Sequence, residues 1–367
     1  MTRTLAMAAG GGGDAITAAV LGRRIGDGDL VAIMSYSWDR LMVDPLPGPR
    51  SRSDFVGLEE LGPSVFEIRA GSRLRQKGTS TLPRLADDLG ERLLLLDPST
   101  GSNGVRDQIS CAAYELDIDN VLVVDVGGDI LARGSEAGLR TPLADSLSLA
   151  ACAELEVPTR LWVCGLGLDG ELTMDELNQR LDEVGTRQVA TLRNEDFDAV
   201  RTVFDWHPSE ATGLLAAAAS GLRGNVETRQ GQTTVAMTDV STIVYKIAVA
   251  DAIEGSLAAD LIDTSSLADA ECVIRKHRGS TEIDFERQRS AERSARSPLP
   301  PTTQMLPRLD RYTEEARVRG VDFLTFRRVA EFARSTDPAA GAALRELLAA
   351  HRPDNYAPPL YRTASGS

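Results

Sequence analysis

The sequence is poor in cysteine, in histidine and in net basic charge, and each shortage narrows what the chain can be. Only four cysteines occur in 367 residues, at positions 111, 152, 164 and 272, and none forms a C-x-x-C pair or stands with histidine at a zinc-site spacing. Cys152 and Cys164 lie in apolar runs and read as core residues. No apolar run reaches the roughly 18 residues that a membrane-spanning helix needs. Residues 1–9 are too short for the apolar region of a secretory signal, because four glycines and Asp14 follow at once. With few cysteines and no export signal, the expected compartment is the cytoplasm. Acidic residues outnumber basic ones, for a formal net charge of −14. Such a chain repels phosphate backbones and anionic lipid, so neither nucleic acid nor membrane is an expected partner. The basic clusters at Arg50–Arg52, Arg69–Lys77 and Arg275–Arg296 read as solvated loops. Cofactor signatures are missing as well: nothing points to nicotinamide, flavin or pyridoxal. The stretch GGGGDAIT (10–17) is neither G-x-G-x-x-G nor a P-loop, and there is no G-x-S-x-G elbow.

What is present is enough apolar material for a sizeable core, 42% of residues. Short, largely apolar runs at Thr4–Ala9, Leu30–Tyr36, Val65–Arg69, Arg92–Leu96, Val121–Val126 and Arg160–Cys164 alternate with helical patterns at Ala15–Ile25, Gly104–Leu116, Pro142–Leu155 and Met174–Val184. This alternation predicts an α/β fold, a Rossmann-like, mostly parallel sheet with helices on both faces. Right-handed crossovers then bring every strand-to-helix turn to one edge, where ligands bind in such sheets. Further on, Ser209–Leu222 reads as a helix with Ser209 as its N-cap. Val226–Arg229 and Thr233–Met237 read as a hairpin. Residues 1–285 are expected to form the ligand-binding domain, 286–304 a linker or mobile loop, and 305–367 a helical cap packed on it.

Four constellations are candidates for chemistry. Gly11, Gly12 and Gly13 let backbone N–H groups approach an anion, and the helix that follows adds its positive end; Asp14 is either part of this site or an N-cap. In DVGGD (125–129), Asp125 and Asp129 flank Gly127 and Gly128 at the end of a buried strand, with Glu136 and Asp145 nearby in sequence. Buried carboxylates need a proton, a donor or a cation, so Asp125 and Asp129 are candidates for a general base or for Mg²⁺ ligands. His207, just before a helix and followed by Ser209, is a candidate acid or base. Arg40 and Arg50, in the long stretch 37–64, could clamp an anion, and Asn103 could read a hydroxyl.

On the segments 6–18, 123–150, 207–229 and 320–332, the chain resembles a bacterial and archaeal family known as domain of unknown function eleven fifty-two. The resemblance implies that these segments form one site and carries no reaction with it. The expected function is an enzyme hydrolysing or transferring a group of a small anionic metabolite, phosphorylated and sugar- or nucleoside-like. Gly11–Gly13 with Arg40 or Arg50 would hold the anion, Asp125 and Asp129 a hydroxyl or Mg²⁺ and the base, and His207 or Glu136 the acid. The alternative is a non-catalytic sensor for such a metabolite; the sequence also allows a homo-oligomer.

Overall fold

Alternation of side chains along the central strands sets the architecture. In β1 (Thr2–Ala8), Leu5 and Met7 join one buried cluster while Ala6 and Ala8 join another; in β8 (Asn120–Val126), Val121 and Val123 likewise part from Leu122 and Val124. Both faces of the sheet are therefore covered, as a buried parallel sheet requires. The computed structural model describes residues 2–25, 28–76, 78–228, 233–294 and 299–364.

The main sheet has nine strands in the order β10-β13-β9-β8-β1-β2-β7-β5-β4. Its five central members, β9 (Thr159–Cys164), β8, β1, β2 (Gly28–Tyr36) and β7 (Arg92–Leu96), are all parallel. On one side β5 (Val65–Ile68) and β4 (Glu59–Gly62) add an antiparallel hairpin, and on the other β13 (Ile243–Ile247) and β10 (Arg187–Thr191), distant in sequence, add an antiparallel pair. A small ribbon, β3 (Phe55–Val56) with β6 (Arg73–Leu74), lies within the long segment after β2. The sequence reading found the parallel core and missed most of these edge strands, which are short and carry charge.

One layer of helices comprises α1 (Gly12–Ile25), α2 (Leu82–Leu89) and α6 (Ala211–Ala219). The other contains α3 (Gly101–Glu115), α4 (Pro142–Ala151), α5 (Met174–Glu183), α7 (Val249–Ile253) and α8 (Leu267–Arg278). The crossover from β1 leads to β2 on one side, whereas β8 lies on the other. The sheet order thus reverses between β1 and β8, the place where such sheets open a crevice at their carboxyl edge.

Two boundaries differ from expectation. The segment 286–304 does not start as a linker: residues 286–294 continue α9 (Glu282–Ser294), whose Glu286 accepts hydrogen bonds from Trp38 Nε1 (3.1 Å) and Gly48 N–H (2.8 Å). Residues 295–298 of that segment lie outside the described residues. Nor is the C-terminal part purely helical. Besides α10 (Leu306–Val318), α11 (Phe326–Ala333) and α12 (Pro338–His351), it supplies β14 (Phe323–Thr325), β15 (Tyr356–Ala357) and β16 (Leu360–Arg362). These join β11 (Gly224–Glu227) and β12 (Thr234–Met237) in a second sheet. The hairpin expected at 226–237 is the β11–β12 pair; Arg229, within its expected first strand, lies outside the described residues. Glu227, 2% exposed, clamps the two parts by accepting hydrogen bonds from Arg319 (2.6 Å), Arg328 (2.8 Å) and the Tyr312 hydroxyl.

Candidate active site

Three strand ends meet at the β1/β8 switch point and enclose a cavity of about 150 Å³. That is below the ~300–1,000 Å³ of a pocket for a drug-sized ligand, so it has room for a small group and not for a whole dinucleotide.

From β1, the chain turns through Gly10–Gly13 into α1. The amides of Gly12, Gly13 and Asp14 open this helix and have no acceptor inside it. Asp14 is not an N-cap: it lies in the first turn, and its Oδ2 reaches back to accept from the Gly10 N–H at 2.8 Å. Close packing fixes the turn from above. A Cβ at residue 13 would stand 2.4 Å from Ser209 Oγ, and Thr212 Oγ1 donates to the Gly13 carbonyl at 2.9 Å.

From β8, Asp125 lies just behind the cavity wall and is 1% exposed. Its Oδ2 accepts from Gly128 N–H at 2.8 Å, while Oδ1 has no donor among the described residues. Gly128 holds φ +99°, a conformation open to glycine, and thereby swings Asp129 round to the cavity. Asp145, in the first turn of α4, faces them. One carboxylate oxygen each from Asp14, Asp125 and Asp145 come within 4.8 Å of one another. From β9, the turn brings Asp169 and Glu171. Glu171 accepts from the amides of Arg140 (2.7 Å) and Thr141 (2.9 Å) and so braces the start of α4.

Such crowding has the expected electrostatic result. Burial, then mutual repulsion, pushes Asp125, Asp129 and Asp145 well above the usual carboxylate range. Burial raises Asp14 to about 7, despite the opposing Gly10 amide and Arg40 charge, and Asp39 to about 6. Glu282, from α9, is raised by burial to about 8; its Oε1 accepts from Leu143 N–H at 2.7 Å, and Oε2 has no donor among the described residues. Burial and crowding therefore favour the protonated form of the carboxyls around the cavity.

His207 differs from expectation in kind. Burial, aided by the Arg345 charge, lowers it to about 3, so at neutral pH the ring is uncharged. Its Nδ1 accepts from Ser209 N–H at 3.2 Å, which leaves the ring proton on Nε2. Nε2 lies above Gly12, 3.2 Å from where a Cβ there would be, with no partner among the described residues. A neutral imidazole with this proton is a hydrogen-bond donor, not a general acid.

Of the residues singled out from sequence, Gly11, Gly12, Gly13, Asp14, Arg40, Asp129, His207 and Ser209 line the cavity. Ser209 is not the expected helix cap; α6 begins two residues later, behind Glu210. Gly127 and Gly128 shape the turn instead of lining the cavity, and their amides bond to Cys164 O (3.0 Å) and Asp125. Glu136 is a turn brace outside the cavity, accepting from the amides of Arg133 (2.7 Å) and Gly134 (2.9 Å). Arg50 is buried in its own loop, bonded to Asp44 (2.7 Å) and to the Leu46 and Pro47 carbonyls. Asn103 sits on α3, bonded to Arg106 (2.9 Å) and Asp263 O (3.3 Å).

Sequence reasoning missed Asp39, Asp169, Glu171, Glu282 and Arg327 as lining residues. Asp169 and Glu171 were findable, since they follow β9 on the same edge. Glu282 and Arg327 come from helices far along the chain and gave no local signal. Arg327 is delivered by α11, whose first turn is capped by Thr325 Oγ1 (3.1 Å from Arg328 N), and it pairs with Glu210 at 3.5 Å.

No curated protein and no solved structure matches the chain. A family model described as "Protein of unknown function (DUF1152)" matches residues 5–290, a span that carries every cavity element named above except Arg327 and the C-terminal helices. The chain belongs to that family.

Proposed function

We propose that this chain is an enzyme acting on a small phosphorylated, sugar- or nucleoside-like metabolite by hydrolysis or group transfer. The observation that carries the reading is the pairing, across one small cavity, of the open amides of α1 with a crowd of buried carboxyls. Helix N-termini of this kind accept phosphate, and the Arg40 and Arg327 guanidiniums at the cavity wall add positive charge. His207 Nε2–H contributes a neutral donor to the same anion. This replaces the expected role of His207 or Glu136 as acid.

In the hydrolytic case, water attacks phosphorus and its proton passes to the Asp129 carboxylate. The bond from phosphorus to the bridging oxygen breaks, and that oxygen leaves with the proton of the Glu282 carboxyl. In group transfer an acceptor hydroxyl replaces water, with the same proton movements. A carboxylate to take one proton and a carboxyl to give another are what such a reaction needs.

The test is phosphate release from a panel of sugar phosphates and nucleoside phosphates, with and without Mg²⁺. Turnover by the wild type and its loss in Asp129→Asn is the expected result. Tight binding of a panel member by the wild type without turnover would favour the sensor instead; neither binding nor turnover would overturn the reading.

A further inference from the structure

Besides Glu282 Oε2, two buried polar atoms of opposite sense stand unsatisfied beside this cavity among the described residues. Asp125 Oδ1, on a residue 1% exposed, is an acceptor with no donor; His207 Nε2, on a residue 7% exposed, is a donor with no acceptor among the described residues. An orphaned buried polar atom is costly, more so when it is charged, so each needs a reason. A single water satisfies one of them and leaves the other.

We infer that the cavity binds a divalent cation on Asp14, Asp125 and Asp145, and that this cation pairs with an oxyanion held by the α1 amides and His207 Nε2. The acidic side fits a cation because its three carboxylate oxygens come from three separate elements, α1, β8 and α4, yet lie within 4.8 Å of one another. Each element is fixed independently of the other two. The Gly10 amide holds Asp14, the Gly128 amide holds Asp125, and Glu171 and Glu282 brace the start of α4 that carries Asp145. Repulsion therefore does not drive the three apart. An all-oxygen, carboxylate set selects a hard cation such as Mg²⁺ or Mn²⁺ over zinc or copper. Three carboxylates complete no coordination sphere, and Mg²⁺ in particular keeps positions for waters and substrate phosphates.

The opposite side presents N–H donors, the first-turn amides of α1 and His207 Nε2, and these suit an oxyanion. This set differs from the Asp125 and Asp129 pair expected from sequence: Asp129 lines the cavity but lies outside the three-oxygen cluster. The inference deepens the proposed function and rests on it for the oxyanion half, whereas the cation half stands on Asp125 Oδ1 and the cluster alone.

The full chain, freed of metal with a chelator, is titrated with Mn²⁺ and followed by the electron paramagnetic resonance signal of the free ion. One strong site is expected. Asp125→Asn and Asp145→Asn, with folding checked by circular dichroism, should each weaken it beyond the roughly 10–100-fold that loss of an outer-shell partner costs. Should either variant fail to fold, Asp14→Asn gives the same readout. Inorganic phosphate is then titrated with and without Mn²⁺, and its affinity should rise when the ion is bound, with the reciprocal gain for Mn²⁺. Absence of a strong Mn²⁺ site, or a site that survives all three substitutions, overturns the inference. A Mn²⁺ site lost in the variants but uncoupled from phosphate overturns the oxyanion half. Because these are binding measurements, they are decided whether or not any substrate is turned over.

Discussion

Ser209 presses on Gly13 so closely that a Cβ at residue 13 would stand 2.4 Å from its Oγ and 2.9 Å from its Cβ. The contact locks the first turn of α1 beneath the segment that carries His207, so the first-turn amides and the imidazole donor share one rigid frame. Gly13→Ala should destabilise the protein by about 1–3 kcal/mol, the usual cost of overpacking. Ser209→Gly should return most of that loss in the double variant, a coupling that urea denaturation of all four proteins would read. Additive effects would mean that the two residues do not bear on each other.

Glu282 gives the fold a stability that depends on pH. Its folded-state value of about 8 lies above the ordinary 4.5, so its contribution is complete below about 4.5 and is lost as pH rises through 8. Within that window stability should fall with a slope of up to about 1.4 kcal/mol per pH unit from this group alone. Glu282→Gln retains an acceptor oxygen for the Leu143 amide and removes the titration. The variant should match the wild type near pH 4.5 and exceed it at pH 8 in denaturant midpoint. The same substitution should abolish turnover, because Gln has no proton to give a leaving oxygen.

His207 acts in the opposite direction. Its value falls from 6.5 to about 3 on folding, so the unfolded chain takes up a proton that the folded chain refuses. Stability is unaffected above about 6.5 and is lost progressively as pH falls toward 3. His207→Gln should flatten this acid limb in a series of thermal melts between pH 4 and 7. At pH 7 and above, the rate profile of the wild type should carry no inflection from His207; one that vanished in His207→Gln would show that the ring titrates there and is not a neutral donor.

The parallel core, the carboxyl-edge rule and the two turns at its switch point were legible because each rests on a local signal. Apolar runs of strand length, glycines at their ends and a helical pattern after each suffice to place Gly11–Asp14 and Asp129 on one edge. What was not legible depends on contacts distant in sequence. Glu282 reaches the cavity only because Glu286, one turn on, is anchored to Trp38 and Gly48. Arg327 reaches it because Glu227 holds Arg328 from across the second sheet. Glu136 misled for the converse reason: its position between two candidate carboxylates said nothing of the Arg133 and Gly134 amides that occupy it.

Arg40 and Arg50 looked alike in sequence, two arginines in the loop after β2, and the fold gives them separate tasks. Arg50 lies beside Asp44 with its Nε 2.7 Å from Oδ2, and the side chains are 11% and 3% exposed. Removing it leaves Asp44 charged and unpaired in a buried place, where burial already works against its ionised form, and loss of one partner of a buried pair costs about 3–5 kcal/mol. Arg50→Ala should therefore lower stability by an amount of that order. Arg40 lines the cavity, and its charge acts on Asp14. Arg40→Ala should weaken phosphate binding about tenfold, the loss of one charge-assisted hydrogen bond of about 1.5 kcal/mol, with a smaller change in stability than Arg50→Ala. Denaturation and phosphate titration on the two variants separate the roles. If Arg50→Ala weakened phosphate binding at full stability while Arg40→Ala left it unchanged, the anion would have to sit in the β2 loop, and the cavity at the β1/β8 switch point would lose its assigned ligand.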